Sequence, residues 1–336
     1  MKVYEIKQGS TSLSGLQPAE RPIPAPGHGQ VQIRVRAASL NYRDQAVVTG
    51  RYFGGVVQRD TIPLSDGAGE VSAIGPGVTR VKVGDRVAGA FFQVWIDGRP
   101  DRSNFAALGS PLDGMLAEYV VLDQEGVVLM PEHLSFEEGA CLPCAGVTAW
   151  NALAESGRIR PGDTVLVLGT GGVSIFGLQF AKLHGARVIV TSASDAKLAR
   201  AKTLGADELI NYVEYPEWHE EVMRLTGGRG VDNVIEVGGA GTLSRSIQSL
   251  GFGGQVSLIG VLTREGDTNP HGLMMKGARI QGIFVGNRAM FENMNRAIAA
   301  NRMHPVVDKV FSFDAIHDAF NYELEKKHFG KIVISV

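Results

Sequence analysis

The segment Gly162-Asp-Thr-Val-Leu-Val-Leu-Gly-Thr-Gly-Gly-Val-Ser-Ile-Phe-Gly177 restricts the fold of this chain more than any other. Residues 165–168 form a continuous apolar run behind a Pro161-Gly162-Asp163 turn, as a strand buried on both faces requires. Gly169, Thr170, Gly171 and Gly172 follow, and residues 173–183 read as one apolar-rich helix beginning at Val173. Glycines at that point let the backbone turn tightly and approach a pyrophosphate, which the unpaired N–H groups of a helix N-terminus can hold. Ser174 stands where a G-x-G-x-x-G pattern has its third glycine, and it is still small enough for close helix–strand packing. A second strand over 187–191 comes after Gly185, so strand, turn, helix and strand arrive in order within about 30 residues. The order, more than the glycines alone, predicts a dinucleotide-binding unit.

At 336 residues the chain is long for one hydrophobic core, and two domains are expected. Its net charge of −2 offers no general attraction for nucleic acid or an anionic membrane, so neither is expected as a partner. Cys141 and Cys144 are the only two cysteines; they build no disulfide framework and fit a reducing compartment. Residues 1–15 lack the apolar core of a signal peptide, and glycines and charges interrupt every apolar run before it reaches about 18 residues. A soluble, cytoplasmic protein is the expectation.

The first third of the chain reads as strands and turns. Residues 31–36 alternate with period two, as a half-buried strand should. Residues 66–87 read as strand, Gly75-Pro-Gly turn, short strand, Gly84-Asp turn and strand, which predicts a small antiparallel, barrel-like domain. Beyond it the pattern changes to helices alternating with apolar strands. A helix is expected over 136–151, and strands over 164–168, 187–191, 208–210, 233–236, 255–259 and 279–284. That alternation implies a parallel sheet covered on both faces. After Gly286 come a helix over 290–301, a strand, a helix over 314–326 and a last strand over 331–336.

Several motifs follow one another in order through this pattern. They are Ala38-Ser-Leu-Asn-Tyr-Arg-Asp44 with Gly50-Arg-Tyr52, and Gly67-Ala-Gly-Glu-Val-Ser-Ala-Ile-Gly-Pro-Gly-Val-Thr79 with Gly84-Asp-Arg-Val87. Gly114-Met-Leu-Ala-Glu-Tyr119, Ala145-Gly-Val-Thr-Ala149, the glycine turn, Ala201-Lys-Thr-Leu-Gly-Ala-Asp207 and Gly330-Lys-Ile-Val333 complete the set. Over essentially its whole length the chain resembles the medium-chain dehydrogenase/reductase superfamily, and within it the zinc-free quinone-oxidoreductase-like and alcohol dehydrogenase-like members. The resemblance implies an α/β fold: a Rossmann doubly wound parallel sheet plus an N-terminal GroES-like antiparallel β-barrel-type domain. It implies a catalytic domain made of residues 1–128 and 286–336, a nucleotide-binding domain of residues 129–285 inserted into it, and an active site in their cleft. It also implies a homodimer joined through the last strand of the nucleotide domain, here 279–284.

Zinc-dependent relatives hold a catalytic ion with a cysteine, a histidine and a second cysteine. Motif alignment places Asn41 at the first position, Ser65 at the second and Cys144 at the third. One soft ligand of three cannot hold the ion. The four cysteines of a separate structural zinc are missing from the matching lobe, residues 91–113, so no metal is expected. The Cys141-Leu-Pro-Cys144 pair has a second reading as a redox-active C-x-x-C, which needs a helix start and a lowered thiolate pKa. It falls inside an expected helix, and two buried small hydrophobes is the favoured reading.

NAD selectivity uses an acidic side chain about 20 residues after the first glycine. That position is Ser192, 23 residues after Gly169. A carboxylate there would repel a 2′-phosphate, whereas a serine hydroxyl can donate to it, and Lys197 lies one turn into the next helix. NADP(H) is therefore expected in preference to NAD(H). Asp195 argues mildly the other way, although it also reads as a helix N-cap. A solvated helix face is the plain alternative for Lys197.

The resemblance carries further positions over. Thr148 matches the residue packed on the nicotinamide, Ile259 and Gly260 the stretch beside it, and Phe284 to Gly286 the backbone holding the carboxamide. Lys331 matches a basic position near the pyrophosphate, with an ordinary surface lysine as its alternative. Without zinc, hydride transfer needs another electrophile for the acceptor oxygen, and hydrogen-bond donors can serve. Asn41 and Tyr52 are the candidates; Arg43 occupies the position where zinc enzymes carry a proton-relay hydroxyl. Asn41 reads equally as a turn residue, Tyr52 as a core aromatic, and Arg43 as the partner of Asp44 or Asp66 in a salt bridge. Phe91, Phe92 and Trp95 match positions that line the substrate pocket, and they suit a small apolar carbonyl compound or quinone unless they are plain core. The expectation is an NADPH-dependent reductase of enones, enals or quinones. NAD(P)-dependent interconversion of alcohols and ketones is the enzymatic alternative, and a low-turnover nucleotide-binding protein of crystallin or sensor type is the alternative from another class.

Overall fold

Two short strands, β1 (Lys2–Ile6) and β2 (Leu16–Glu20), pair antiparallel at the start of the computed structural model, which describes residues 1–260, 262–263 and 265–336. β3 (Gln30–Ser39) alternates as its sequence does, burying Val31, Ile33 and Val35 and exposing Arg34. Helix α1 (Tyr42–Val48), β4 (Asp66–Ile74), β5 (Arg86–Gly89), β6 (Tyr119–Asp123) and β7 (Val127–Leu129) follow, with β4 and β6 both antiparallel to β3. The short strand expected between Gly75 and Gly84 does not form. Gly77 and Gly84 take positive φ, and the Gly84 N–H donates back to Val71 O, so the segment curls into turns while Val81 still reaches the core.

The expected long helix over 136–151 is broken. A capping box at Ser135 starts α2 (Phe136–Ala140), with Ser135 Oγ accepting from the Glu138 N–H and Glu138 Oε2 from the Ser135 N–H. Pro143 then removes a donor and crowds the preceding turn, and the backbone widens into π turns at Leu142–Gly146 and Asn151–Glu155 around α3 (Val147–Trp150).

Six parallel strands make the second sheet. In chain order they run β8 (Thr164–Leu168), α4 (Gly172–Leu183), β9 (Arg187–Ser192), α5 (Asp195–Thr203), β10 (Glu208–Asn211), α6 (Trp218–Leu225) and β11 (Val231–Glu236). Then come α7 (Ala240–Ser249), β12 (Leu250–Leu258), α8 (His271–Lys276) and β13 (Arg279–Gly282). Across the sheet the order is β10-β9-β8-β11-β12-β13, the doubly wound Rossmann arrangement. β12 begins earlier than expected because Leu250 pairs with Val231 before a register shift restores the ladder at Asn233 and Gln255. β13 stops two residues short of the expected 284.

The chain returns with α9 (Arg288–Asn301), β14 (Val307–Ser312), α10 (Ile316–Leu324) and β15 (Lys331–Ser335). β15 lies antiparallel to β3, in the order β14-β15-β3-β4-β5-β7. Ile33, Val71 and Val87 thereby share one core with Ile316, Phe320, Ile332 and Ile334 from the other end of the chain. Each such side chain stabilises the unit by roughly 1.5–3 kcal/mol. This is the GroES-like part of the α/β fold.

The chain divides into Met1–Val147 with Gly286–Val336, and Thr148–Val285. The first division falls later than the 128/129 boundary drawn from the sequence, because α2 packs onto β3 and β4. Among the described residues no helix is long and apolar enough to cross a membrane.

Candidate functional site

In the second unit the glycine turn leaves β8 at Leu168. Gly169 takes φ +71 and donates its N–H to Thr191 O, which fixes the turn against β9. A Cβ on Gly169 or Gly171 would meet no protein atom within 4 Å, so the space in front of the α4 N-terminus stays open to a ligand. Thr170 is buried, and Gly172 and Val173 open α4. Ser174 Oγ donates to Leu168 O at 2.7 Å and ties the first turn of the helix to the strand end, which a third glycine could not do. Gly177 supplies the close packing, since a Cβ there would stand 3.3 Å from Ile235.

Ser192 ends β9, buried, with Oγ accepting the Ser194 N–H at 3.2 Å; its own O–H remains able to donate. The helix cap is Ser194, whose Oγ accepts from the Lys197 N–H, and not Asp195. Asp195 Oδ1 instead accepts from Asn211 Nδ2 at 2.8 Å. Lys197 lies in the first turn of α5.

Thr148 is buried in α3. Ile259 and Gly260 follow β12, and both N–H groups donate to Glu236 O. Gly260 admits no other residue, because a Cβ would reach 1.6 Å from Val237 O. Phe284 is 40% exposed, and Val285 beside it holds φ +53, a left-handed conformation that strains a β-branched residue. Asn151 Nδ2 donates to Val285 O at 2.7 Å and helps hold it there. Gly286 is buried where the chain re-enters the first unit. Sequence reasoning missed Glu236. Its Oε1 accepts from the Gly238 and Gly239 N–H groups and Thr242 Oγ1, so it shapes the loop after β11; an acidic strand end followed by Val-Gly-Gly was the available signal.

In the first unit a polar cluster gathers the buried Arg43, Asp44, Ser65, Asp66 and Lys331 with the half-buried Asn41, Tyr52 and Cys144. Asn41 caps α1, its N–H donating to Asp44 Oδ2 at 2.8 Å. Its Oδ1 accepts from Lys331 Nζ at 2.6 Å, and the same ammonium donates to Leu40 O. The sequence placed Lys331 beside a pyrophosphate. The structure gives it these two partners, because β15 pairs with the end of β3 and lays its first residue next to Leu40. Only 3% exposed, it is no surface lysine. Ser65 Oγ donates to Asp66 Oδ1 at 2.7 Å, and Asp66 Oδ2 accepts the Cys144 N–H at 3.1 Å.

Arg43 is held from several sides. Its guanidinium donates to Leu108 O at 2.9 Å and Ser110 O at 3.2 Å, and lies 3.6 Å from Asp44. It also lies over the rings of Tyr52, 4.9 Å away, and Phe91, 4.8 Å away. Burial opposes its charge, but Asp44 and Tyr52 outweigh burial and its pKa is raised. Burial lifts Asp44 to about 6 against the pull of Arg43, and raises Asp66 against the pull of Lys331. Tyr52 is likewise raised by burial, with Arg43 opposing. Phe91 reaches the cluster through Arg43 and packs edge-on against Phe92, which with Trp95 packs on Phe105.

Residues 41, 65 and 144 do not fit a zinc ion. The Asn41 amide oxygen faces an ammonium, the Ser65 hydroxyl is committed to a carboxylate, and burial pushes the Cys144 thiol far up, away from the thiolate a metal needs. Among the described residues no group of three or more His, Cys, Asp or Glu side chains could hold a metal. Burial pushes Cys141 up to about 12, so this C-x-x-C lacks the lowered pKa of a redox pair.

Two family models match the chain: an alcohol dehydrogenase GroES-like domain over residues 27–132 and a zinc-binding dehydrogenase over residues 172–300. A zinc-type alcohol dehydrogenase-like protein of Schizosaccharomyces pombe is 43% identical over 99% of this chain and 99% of its own length. A crystal structure assigned as an alcohol dehydrogenase from Sinorhizobium meliloti 1021 superposes with a TM-score of 0.91 at 41% identity, covering 100% of both chains. That of an NAD-dependent alcohol dehydrogenase superposes with a TM-score of 0.90 at 34% identity, also over 100% of both.

Proposed function

The chain belongs to the medium-chain dehydrogenase/reductase superfamily and is an NAD(P)H-dependent oxidoreductase, and we propose that it reduces an activated alkene (an enone or enal) or a quinone, with NADPH and without a metal. The observation that carries this reading is the Arg43–Tyr52 pair beside ligand positions that do not fit an ion. NADPH fits the second unit, where Gly169 and Gly171 leave room for a pyrophosphate and Ser192 offers a hydroxyl in place of a carboxylate. When bound, the nicotinamide supplies the hydride.

As the β-carbon of an enone accepts hydride, negative charge gathers on the carbonyl oxygen. A donor fixed beforehand near that oxygen, away from water, stabilises the charge without reorganising. Tyr52 has the chemistry for this. Burial keeps its O–H protonated, while the Arg43 charge and the hydrogen bond Arg43 gives its oxygen polarise the phenol as a donor. Leu108, Ser110, Asp44 and Phe91 keep the guanidinium in place. Alcohol oxidation would instead need a base, and Asp44, the carboxylate beside Arg43, is engaged with the Asn41 N–H and Arg43.

Interconversion of alcohols and ketones is the second reading, favoured by the names of the relatives and by the NAD-dependent relative at 34% identity. The reading proposed here also includes a homodimer joined along β13. A panel of enones, quinones, aldehydes and alcohols with both nicotinamides tests it. Enone or quinone turnover with NADPH is expected, and Tyr52→Phe should cost about 10²-fold in kcat, as loss of one oxyanion donor does. Alcohol oxidation as the only turnover, or a Tyr52→Phe variant as active as the parent, would overturn it.

A further inference from the structure

Glu236 ends β11, fully buried, and donors from two loops and a helix converge on it. Its Oε1 accepts the Gly238 and Gly239 N–H groups at 2.7 and 3.0 Å and Thr242 Oγ1 at 2.6 Å. Ser246 Oγ, one turn further along α7, donates to Oε2. The main-chain oxygen of Glu236 takes the Ile259 and Gly260 N–H groups at 2.9 and 3.0 Å, so the turn after β12 hangs on the same residue. The two loops are also tied to each other. The Thr263 N–H donates to Gly238 O at 2.9 Å, and the Gly241 N–H to Thr263 Oγ1 at 2.7 Å. A turn made of Gly238 and Gly239, the second at φ +92, has little conformational preference of its own, and the carboxylate is what pins it.

In the order β10-β9-β8-β11-β12-β13 the topology reverses between β8 and β11, and a dinucleotide lies across the crevice outside those strand ends. The glycine turn after β8 suits the pyrophosphate, and Ser192 at the end of β9 suits the adenosine ribose. The ends of β11 and β12 are left for the nicotinamide half. We propose that Glu236 is a positioning residue for that half. Its carboxylate, itself occupied by protein donors, fixes the loops after β11 and β12 in the shape that receives the nicotinamide. The proposal rests on a nicotinamide cofactor, and on neither the choice of NADPH nor the substrate.

The test separates the two halves of the cofactor. Dissociation constants for NADPH and for 2′,5′-ADP, its adenosine-side fragment, are measured in the parent, Glu236→Ala and Glu236→Gln. Alanine leaves the loop donors without their acceptor, so the NADPH Kd should rise at least about tenfold while that of 2′,5′-ADP stays within about twofold. Glutamine keeps Oε1 for the loop donors and offers Ser246 Oγ an N–H to accept, so it should recover most of the parental affinity. An alanine variant that binds NADPH like the parent overturns the proposal. So does one that loses both ligands in equal proportion, because the damage is then general. If Glu236→Ala lacks a cooperative melt, Thr242→Val takes its place; losing one donor to Oε1 should raise the NADPH Kd alone, by roughly threefold, and the same outcomes decide. A parent that prefers NADH is measured with NADH and 5′-AMP, so the assignment of NADPH can fail while this proposal is still decided.

Discussion

The proposed choice of NADPH turns on one side chain, Ser192. Its hydroxyl closes β9 and accepts from the Ser194 N–H, leaving its proton to donate. Ser192→Asp would put a carboxylate where a 2′-phosphate would lie, while offering acceptors to free ribose hydroxyls. Losing a charge-assisted hydrogen bond costs roughly 1.5–3 kcal/mol, so the NADPH Kd should rise roughly ten- to a hundredfold while that for NADH falls. Titrating both nucleotides into parent and variant checks this, and a parent that binds NADH more tightly than NADPH would refute the assignment. The place of Ser192 at the end of β9 was legible because a fixed offset from a glycine turn gives it. The partners of Asn41 could not. Lys331 lies 290 residues away, and only the pairing of β15 with β3 brings its ammonium to that amide.

At the scale of elements, periodicity located strands and helices well wherever the backbone was free to follow it. It failed where single residues intervened: Pro143 broke a helix that the apolar pattern continued, and Gly77 and Gly84 curled a segment that alternation would have made a strand. Helix α10 carries a third such feature. Its buried stripe of Ile316, Ala319 and Phe320 continues at the next helical spacing to Glu323, whose Oε2 is buried with no hydrogen-bond partner. Burial, and then the Asp44 charge, push this carboxyl up to about 8. An acid whose folded pKa lies above its unfolded one binds its proton more tightly when folded. Stability is therefore lost as pH rises from about 4.5 through about 8. Asp44, lifted to about 6, accounts for part of the lower range, and Lys331 opposes both shifts. Glu323→Gln should thus melt close to the parent below about pH 5 and several degrees above it near pH 9, the gap opening from about pH 5 and levelling off above about pH 8. Melting curves that stay parallel across that range would show that Glu323 is not the titrating group.

For the whole molecule, the motif order carried the Rossmann and GroES-like architecture and the return of the chain end to the first unit. The edge expected at 279–284 is the one the fold leaves at the end of its sheet. β13 has that place: it is the last strand of its sheet, pairing only with β12 among the described residues. Arg279, Gln281 and Gly282 are exposed along it, with Phe284 beyond its end and Met274 and Met275 exposed on α8 just before it. An open edge flanked by apolar side chains invites pairing with another chain unless something covers it. A second copy related by a two-fold axis satisfies that edge with itself, strand against strand, and closes the assembly at two subunits. Sedimentation at micromolar concentration should therefore give twice the 35.9 kDa of one chain. Amide exchange at residues 279–282 should be slow, like that of a central strand, and should quicken on dilution as the edge is uncovered. A species of single-chain mass with fast-exchanging β13 amides at every concentration would refute the dimer.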